Sequence, residues 1–196
     1  MKKIFLTAAA IFAFGFANAQ ESTDGGFSKG SMFLSGSVGF DSSKEGDLKE
    51  NNFTFSPAFG YFVTENIAVG GRLTLESGKI DNGVAESKTN SFGLDVFGRY
   101  YWTPASKFSL FGELAAGFGT EKNEPAGGGE AKTNKFGVNA GIGVNYFLAS
   151  NWALEAKWAA LGYNSEKLDA DGAEAKNTFG LGADLSKITL GLIYKF

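Results

Sequence analysis

Cysteine and histidine are both absent from this 196-residue chain, and proline occurs only three times. Without cysteine there is no disulfide, so stability has to come from backbone pairing and packing. Without histidine a serine nucleophile lacks its usual general base. The loss of both residue types removes the ordinary ligands of a transition-metal site, and no loop carries the Ca²⁺-binding pattern of an EF-hand. The 18 basic and 21 acidic residues are interspersed and sum to −3, which leaves no basic stripe for nucleic acid. Beyond the N-terminal segment no uncharged run approaches the ~20 residues of a spanning helix. What the chain has instead is 28 glycines and 20 phenylalanines.

The N-terminus reads MKKIFLTAAAIFAFGFANAQ. Lys2 and Lys3 precede an uncharged run over residues 4–16, which at about 13 residues is too short to span a bilayer as a helix. Ala17-Asn18-Ala19 then supplies the small-x-small pattern of a signal-peptidase site. We read residues 1–19 as a cleaved signal peptide, cut between Ala19 and Gln20, rather than as a retained anchor. No cysteine follows the cut, which excludes a lipoprotein. The exported remainder, about 177 residues, is enough for one domain.

One polar phrase recurs: ESKTNSFG from Glu86, EAKTNKFG from Glu130 and EAKNTFG from Glu174, at spacings of 44 and 44 residues. A fainter copy, DLKENNFT, starts at Asp47. After each phrase the sequence alternates. Phe92, Leu94, Val96, Tyr100 and Trp102 share one parity, with Asp95, Phe97, Arg99 and Tyr101 between them. Phe136, Val138, Ile142, Val144 and Tyr146 do the same against Gly137, Asn139, Gly143 and Asn145. Period two over eleven residues is a β-strand, whose side chains point to opposite faces in turn. The pattern predicts eight strands near 31–41, 52–63, 67–79, 91–103, 108–120, 135–148, 152–162 and 177–196. Turns of three to five residues alternate with Gly-, Glu-, Lys- and Asn-rich loops of ten to fourteen, around 42–51, 80–90, 121–134 and 163–176. Each repeat is therefore one hairpin. A propeller blade of similar period would hold four short strands, and its His and Trp-Asp signatures are missing.

Eight antiparallel strands without helices call for closure, because closure removes exposed edges. A soluble lipocalin-like barrel would turn its apolar face inward, a membrane barrel outward. Here the apolar face is continuous, as in Met32, Leu34, Val38 and Phe40 or Ile67, Val69, Leu73 and Leu75. The opposite face is small or charged: Ser35, Ser37, Ala68, Gly70, Arg72 and Glu76. Small residues cannot shield an outer surface but fit a narrow lumen. Aromatic residues also cluster at both ends of the apolar face. Phe40, Phe53, Phe92, Phe118, Phe136 and Phe179 lie towards the long loops. Tyr61, Tyr100, Trp102, Phe108, Tyr146, Trp152, Tyr194 and Phe196 lie towards the short turns. Two aromatic girdles around an aliphatic band mark a membrane barrel. The expected fold is all-β: an eight-stranded, antiparallel, up-and-down transmembrane β-barrel. Even positions of strands one, four, five, six and seven should face lipid.

The final run places Thr189, Gly191, Tyr194 and Phe196 at i, i+2, i+5 and i+7. This resembles the β-signal read by the outer-membrane insertion machinery of Gram-negative bacteria. The whole pattern resembles the small outer-membrane β-barrel family of the OmpX and OmpA-transmembrane-domain type. The resemblance implies periplasmic termini and short turns, external long loops, a bed of outer-membrane lipid and lipopolysaccharide, and periplasmic chaperones during assembly. Residues 20–30 would be a short periplasmic segment and 31–196 the barrel, with no peptidoglycan-binding domain after it as in OmpA. One irregularity stands in the last strand. Phe179, Leu181, Ala183 and Leu185 are odd while Ile188, Leu190, Leu192 and Tyr194 are even. A one-residue slip exchanges the faces, so a β-bulge is expected within residues 185–187; the alternative is that residues 177–185 belong to the external part of the loop.

Eight strands enclose a space about wide enough for side chains. Arg72, Glu76, Asp95, Arg99, Glu113, Glu155 and Lys157 all fall on the inward parity at similar depth, and should pair because a lone buried charge is costly. Inward Phe62, Tyr101, Phe111 and Phe147 should crowd the short-turn end. The family resemblance brings lipid A palmitoyltransferases and deacylases to mind, whose chemistry uses His with Ser and a carboxylate. Lacking His, this chain is expected to be no enzyme, with no cofactor and no catalytic or metal site. Three readings follow: a structural barrel with a filled lumen, a narrow conduit for small apolar molecules as OmpW-type relatives imply, and an adhesin acting through its loops. The loops offer few apolar anchors (Leu48, Ile80, Val84, Leu168), and among the residues that favour binding hot spots only Tyr163. They point to no particular ligand.

Overall fold

In the computed structural model the described residues are 25–181 and 188–196, with the side chains of residues 159 and 160 excepted. The expected cleavage point and the expected bulge at residues 185–187 lie outside them. Among the described residues all regular elements are strands, in the order β1 (Met32–Glu45), β2 (Leu48–Phe62), β3 (Ile67–Asp81), β4 (Glu86–Tyr101), β5 (Phe108–Glu124), β6 (Ala131–Phe147), β7 (Trp152–Leu168), β8 (Ala175–Leu181) and β9 (Thr189–Lys195). Sequence neighbours from β1 to β7 pair antiparallel, and β9 pairs with both β7 and β1. That closes a ring of eight, the predicted up-and-down barrel.

The eighth wall position is shared by two segments. β8 pairs with β7 at Leu161↔Leu181, and β9 pairs with it at Lys157↔Thr189. Leu181 and Thr189, eight residues apart, thus pair with residues four apart on β7, where the sequence pattern predicted one strand over 177–196 with a bulge. β1 pairs with β9 across residues 33–37; on that side residues 38–45 pair with no strand among the described residues.

Outward parity and apolarity coincide as expected. Val38, Phe40, Val96, Leu114 and Phe118 are exposed, and so are the girdle residues Tyr100, Trp102 and Phe108. The odd residues of β1, β4, β5 and β6 turn inward, as Phe33, Phe97, Phe111 and Phe147 are buried. In β7 the even parity fails part-way. The pairing with β6 passes from Ala140↔Leu161 to Gly141↔Ala159, so one residue of β7 is extra. Beyond that bulge the odd residues Leu161 and Tyr163 are the exposed ones. The sequence pattern gave no sign of it, because Ala159 and Ala160 fit either face.

The strands also run further than the alternation. Most of the residues expected in long loops are paired, leaving connections at 46–47, 82–85, 125–130 and 169–174. The recurring polar phrase is thus the beginning of β4, β6 and β8 rather than loop. Beyond the apolar belt both faces of the wall meet water, so polarity no longer alternates although the backbone ladder continues. Lys79 and Glu86 form an ion pair in that extension, and the hydrogen bond from Lys79 holds the Glu86 carboxyl below the usual carboxylate range. The β1–β2 hairpin is closed by two residues, with Gly46 at φ 61° in the first position, the conformation such tight hairpins need.

Candidate functional site

Side chains meet across the lumen at the depth of Arg99. This guanidinium is 2% exposed as a residue and spans two carboxylates. Its Nε donates to Glu113 Oε2 at 2.7 Å, and Nη1 and Nη2 donate to the two oxygens of Glu155 at 2.6 and 3.3 Å. Nη1 also reaches the Tyr101 hydroxyl at 3.2 Å, which accepts from Asn145 Nδ2 at 3.3 Å. The planar five-donor fork suits such a site, where a lysine would leave acceptors unpaired. Arg72 Nη2 donates to the other Glu113 oxygen at 2.6 Å, and Lys157 Nζ stands 3.6 Å from that same oxygen. The seat of Arg99 is aromatic. Its guanidinium carbon lies 4.4 Å from the ring centre of Phe111, 4.9 Å from Phe97 and 5.4 Å from Phe33.

Towards the short turns the lumen is filled by rings. Phe62 and Tyr101 stand 5.0 Å apart and Tyr101 and Phe111 5.1 Å, all fully buried. Many inward rings lie over a glycine directly opposite on the next strand: Phe33 over Gly60, Phe97 over Gly70, Phe111 over Gly143. A Cβ on any of these glycines would occupy the ring's place. This explains part of the high glycine and phenylalanine content together. At these three positions the ring lies over its neighbour and needs an empty partner, whereas Tyr101 and Phe111 stand opposite each other with both rings in place.

Towards the long loops the lumen opens. A cavity of about 190 Å³ bordered by Arg72, Asp95, Glu113, Asn139 and Lys157 lies above the Arg99 layer. A second of about 260 Å³, bordered by Thr74, Glu76, Asp95, Lys135, Asn139 and Glu166, adjoins it at Asp95 and Asn139.

The predicted charge cluster is therefore brought together for Arg72, Arg99, Glu113, Glu155 and Lys157. Asp95 stands at its edge, 4.0 Å from Arg72 and without a direct hydrogen bond to it. Glu76 does not join: among the described residues it forms no ion pair, and it borders the upper cavity instead. It sits two steps beyond Arg72 on the same face, where the lumen has widened. Sequence reading missed the buried Asn145, the ring seat formed by Phe33 and Phe97, and Phe27, which enters the floor from outside the strands. Parity marks Phe33, Phe97 and Asn145 as inward; nothing in the sequence marks Phe27.

At the barrel's end, Thr189 opens β9, and the Phe196 backbone N–H donates to the Met32 carbonyl at 2.9 Å. Gly191 pairs with both Ser37 and Glu155, and its missing side chain lets the Gly36 carbonyl approach. Tyr194 stacks edge-on with Trp152 at 4.9 Å and with Phe196 at 5.0 Å, forming part of the girdle.

Comparison with known families matches residues 6–196 to the outer membrane protein beta-barrel domain. Among solved structures, the outer membrane protein OprG of Pseudomonas aeruginosa is similar, with a TM-score of 0.56 at 14% identity over 87% of this chain and 98% of that one. The attachment invasion locus protein Ail of Yersinia pestis gives a TM-score of 0.50 at 17% identity over 86% and 99%. Comparison with curated proteins gives no match. At these identities the two structures share a fold with this chain and nothing finer.

Proposed function

Because the chain belongs to the outer membrane protein beta-barrel domain family, we propose that it is a non-enzymatic structural barrel of the outer membrane whose lumen is sealed by its own side chains. The observation that carries this reading is Arg99, buried and bonded across the lumen to carboxylates from two other strands. A passage there requires breaking several charge-assisted hydrogen bonds in a poorly solvated space. The girdles support a bilayer around the apolar belt, with lipid and lipopolysaccharide as its surroundings. Long loops would face the exterior, and termini and short turns the periplasm. Cleavage between Ala19 and Gln20 precedes assembly in this reading. Thr189, Gly191, Tyr194 and Phe196 address the insertion machinery, to which periplasmic chaperones deliver the chain.

The test is conductance of the purified barrel in a planar bilayer. The expected outcome is no sustained opening. Steady, large openings would overturn the sealed lumen and favour the narrow conduit, a reading to which the two cavities above Arg99 lend some support.

A further inference from the structure

Just before β1 the chain leaves the wall and crosses the short-turn mouth. Phe27 is 2% exposed although it belongs to no strand. Its ring stacks on Phe62 at 4.7 Å and meets Phe147 at 5.0 Å, Tyr101 at 5.5 Å and Phe33 at 5.6 Å. These four partners come from β2, β6, β4 and β1, so the ring sits in the middle of the mouth rather than against one wall. The backbone around it is held on several sides. Phe27 N–H donates to the Pro104 carbonyl at 2.7 Å in the β4–β5 turn, and Lys195 Nζ donates to the Gly26 carbonyl at 2.7 Å from the end of β9. Lys29 N–H reaches Glu65 at 3.2 Å in the β2–β3 turn, and Gly30 N–H reaches the Phe62 carbonyl at 3.0 Å. The two residues before the ring leave no room for side chains: a Cβ on Gly25 would enter the Phe147 ring, and Gly26, at φ 145°, lies against the Ala105 backbone.

We propose that residues 25–27 are a plug, a Gly-Gly-Phe strap seating one ring in an aromatic box that the strands have already built. The walls of the box are held by the barrel's ladders and by the Arg99 layer, none of which needs the strap. Its backbone bonds, by contrast, are few: one to the β4–β5 turn and one from the Lys195 side chain at the end of β9. The box therefore has two states, filled by Phe27 or open to the solvent on the short-turn side. The plug stands on this geometry alone and holds whichever compartment that side faces.

The chain has no cysteine, so a single Ala153→Cys gives one probe at a fully buried inward position beside Phe147 in the floor. Its reaction with a bulky polar maleimide is followed in detergent micelles, on the fraction that keeps the mobility of a folded barrel in unheated gels. On the parent chain labelling should be slow. Adding Phe27→Ala should speed it at least tenfold, Gly26→Val should do the same by unseating the strap with the ring intact, and Phe27→Leu should restore most of the protection. Loss of fold in one variant leaves the other to decide. Equal labelling rates with and without these changes would overturn the plug, as would fast labelling of the parent. Neither result bears on conductance, because the Arg99 layer lies between the floor and the other mouth.

Discussion

Arg99 and Arg72 share a carboxylate yet differ in what their loss exposes. Arg99→Ala would strand the nearly inaccessible Glu155, both of whose oxygens Arg99 binds, and would leave Glu113 to Arg72 and Lys157, at a cost of roughly 3–5 kcal/mol. Arg72→Ala leaves Glu113 still facing Arg99 and Lys157, so about 1.5–3 kcal/mol is expected, the range for a hydrogen bond to a charged group. Thermal unfolding followed by gel mobility should rank the two in that order, and the reverse order would show that Arg72 holds the layer. The glycines make a second residue-scale case. Gly70→Val would strike the Phe59 carbonyl and the Phe97 ring and should destabilise by roughly 1–3 kcal/mol. Gly98, on the neighbouring strand, has no atom within 4 Å of where a Cβ would stand, and Gly98→Val should stay within about 0.5 kcal/mol. Inward parity identified Arg72 and Arg99 as lumen residues, but which carboxylate each reaches depends on side-chain length and stagger across the lumen. Glu155 lies 56 residues from Arg99 in sequence and meets it only because the ring closes.

At the scale of the strand, alternation works where two different solvents face the two sides, and fails where they do not. Within the apolar belt it locates β1 to β7 and gives the face of most residues correctly. Above the belt it ends, and paired extensions such as Lys79–Glu86 look like loop. Leu94, exposed on the belt of β4, is a test of the face. Leu94→Arg should cost roughly 2–4 kcal/mol if it lies near mid-bilayer, while Asn139→Ser, inside the lumen, should fold into liposomes as the parent does. Equal folding yields for the two would refute the orientation. The bulge in β7 belongs to this scale as well. Two alanines give no parity signal, so only the ladder with β6 shows where the register slips.

For the molecule as a whole, closure rests on β9 meeting both β1 and β7. Deleting Phe196 removes one backbone bond to Met32 and one girdle ring, a small loss for the folded barrel. If the terminal motif is read during assembly, the truncated chain should nevertheless fall well below the parent's level in outer-membrane fractions, while refolding in detergent stays near normal. Normal levels in cells would separate the motif from assembly.

Periodicity along the chain is enough for the eight wall positions, the outward apolar face and the inward charges, because each follows from a period of two read against a bilayer. Tertiary structure alone decided which charges meet, where β7 slips, how the eighth wall position divides between β8 and β9, and that Phe27 fills the floor. Those features depend on residues far apart in the chain being brought to one level of a closed ring, and local periodicity carries no information about which residues share a level.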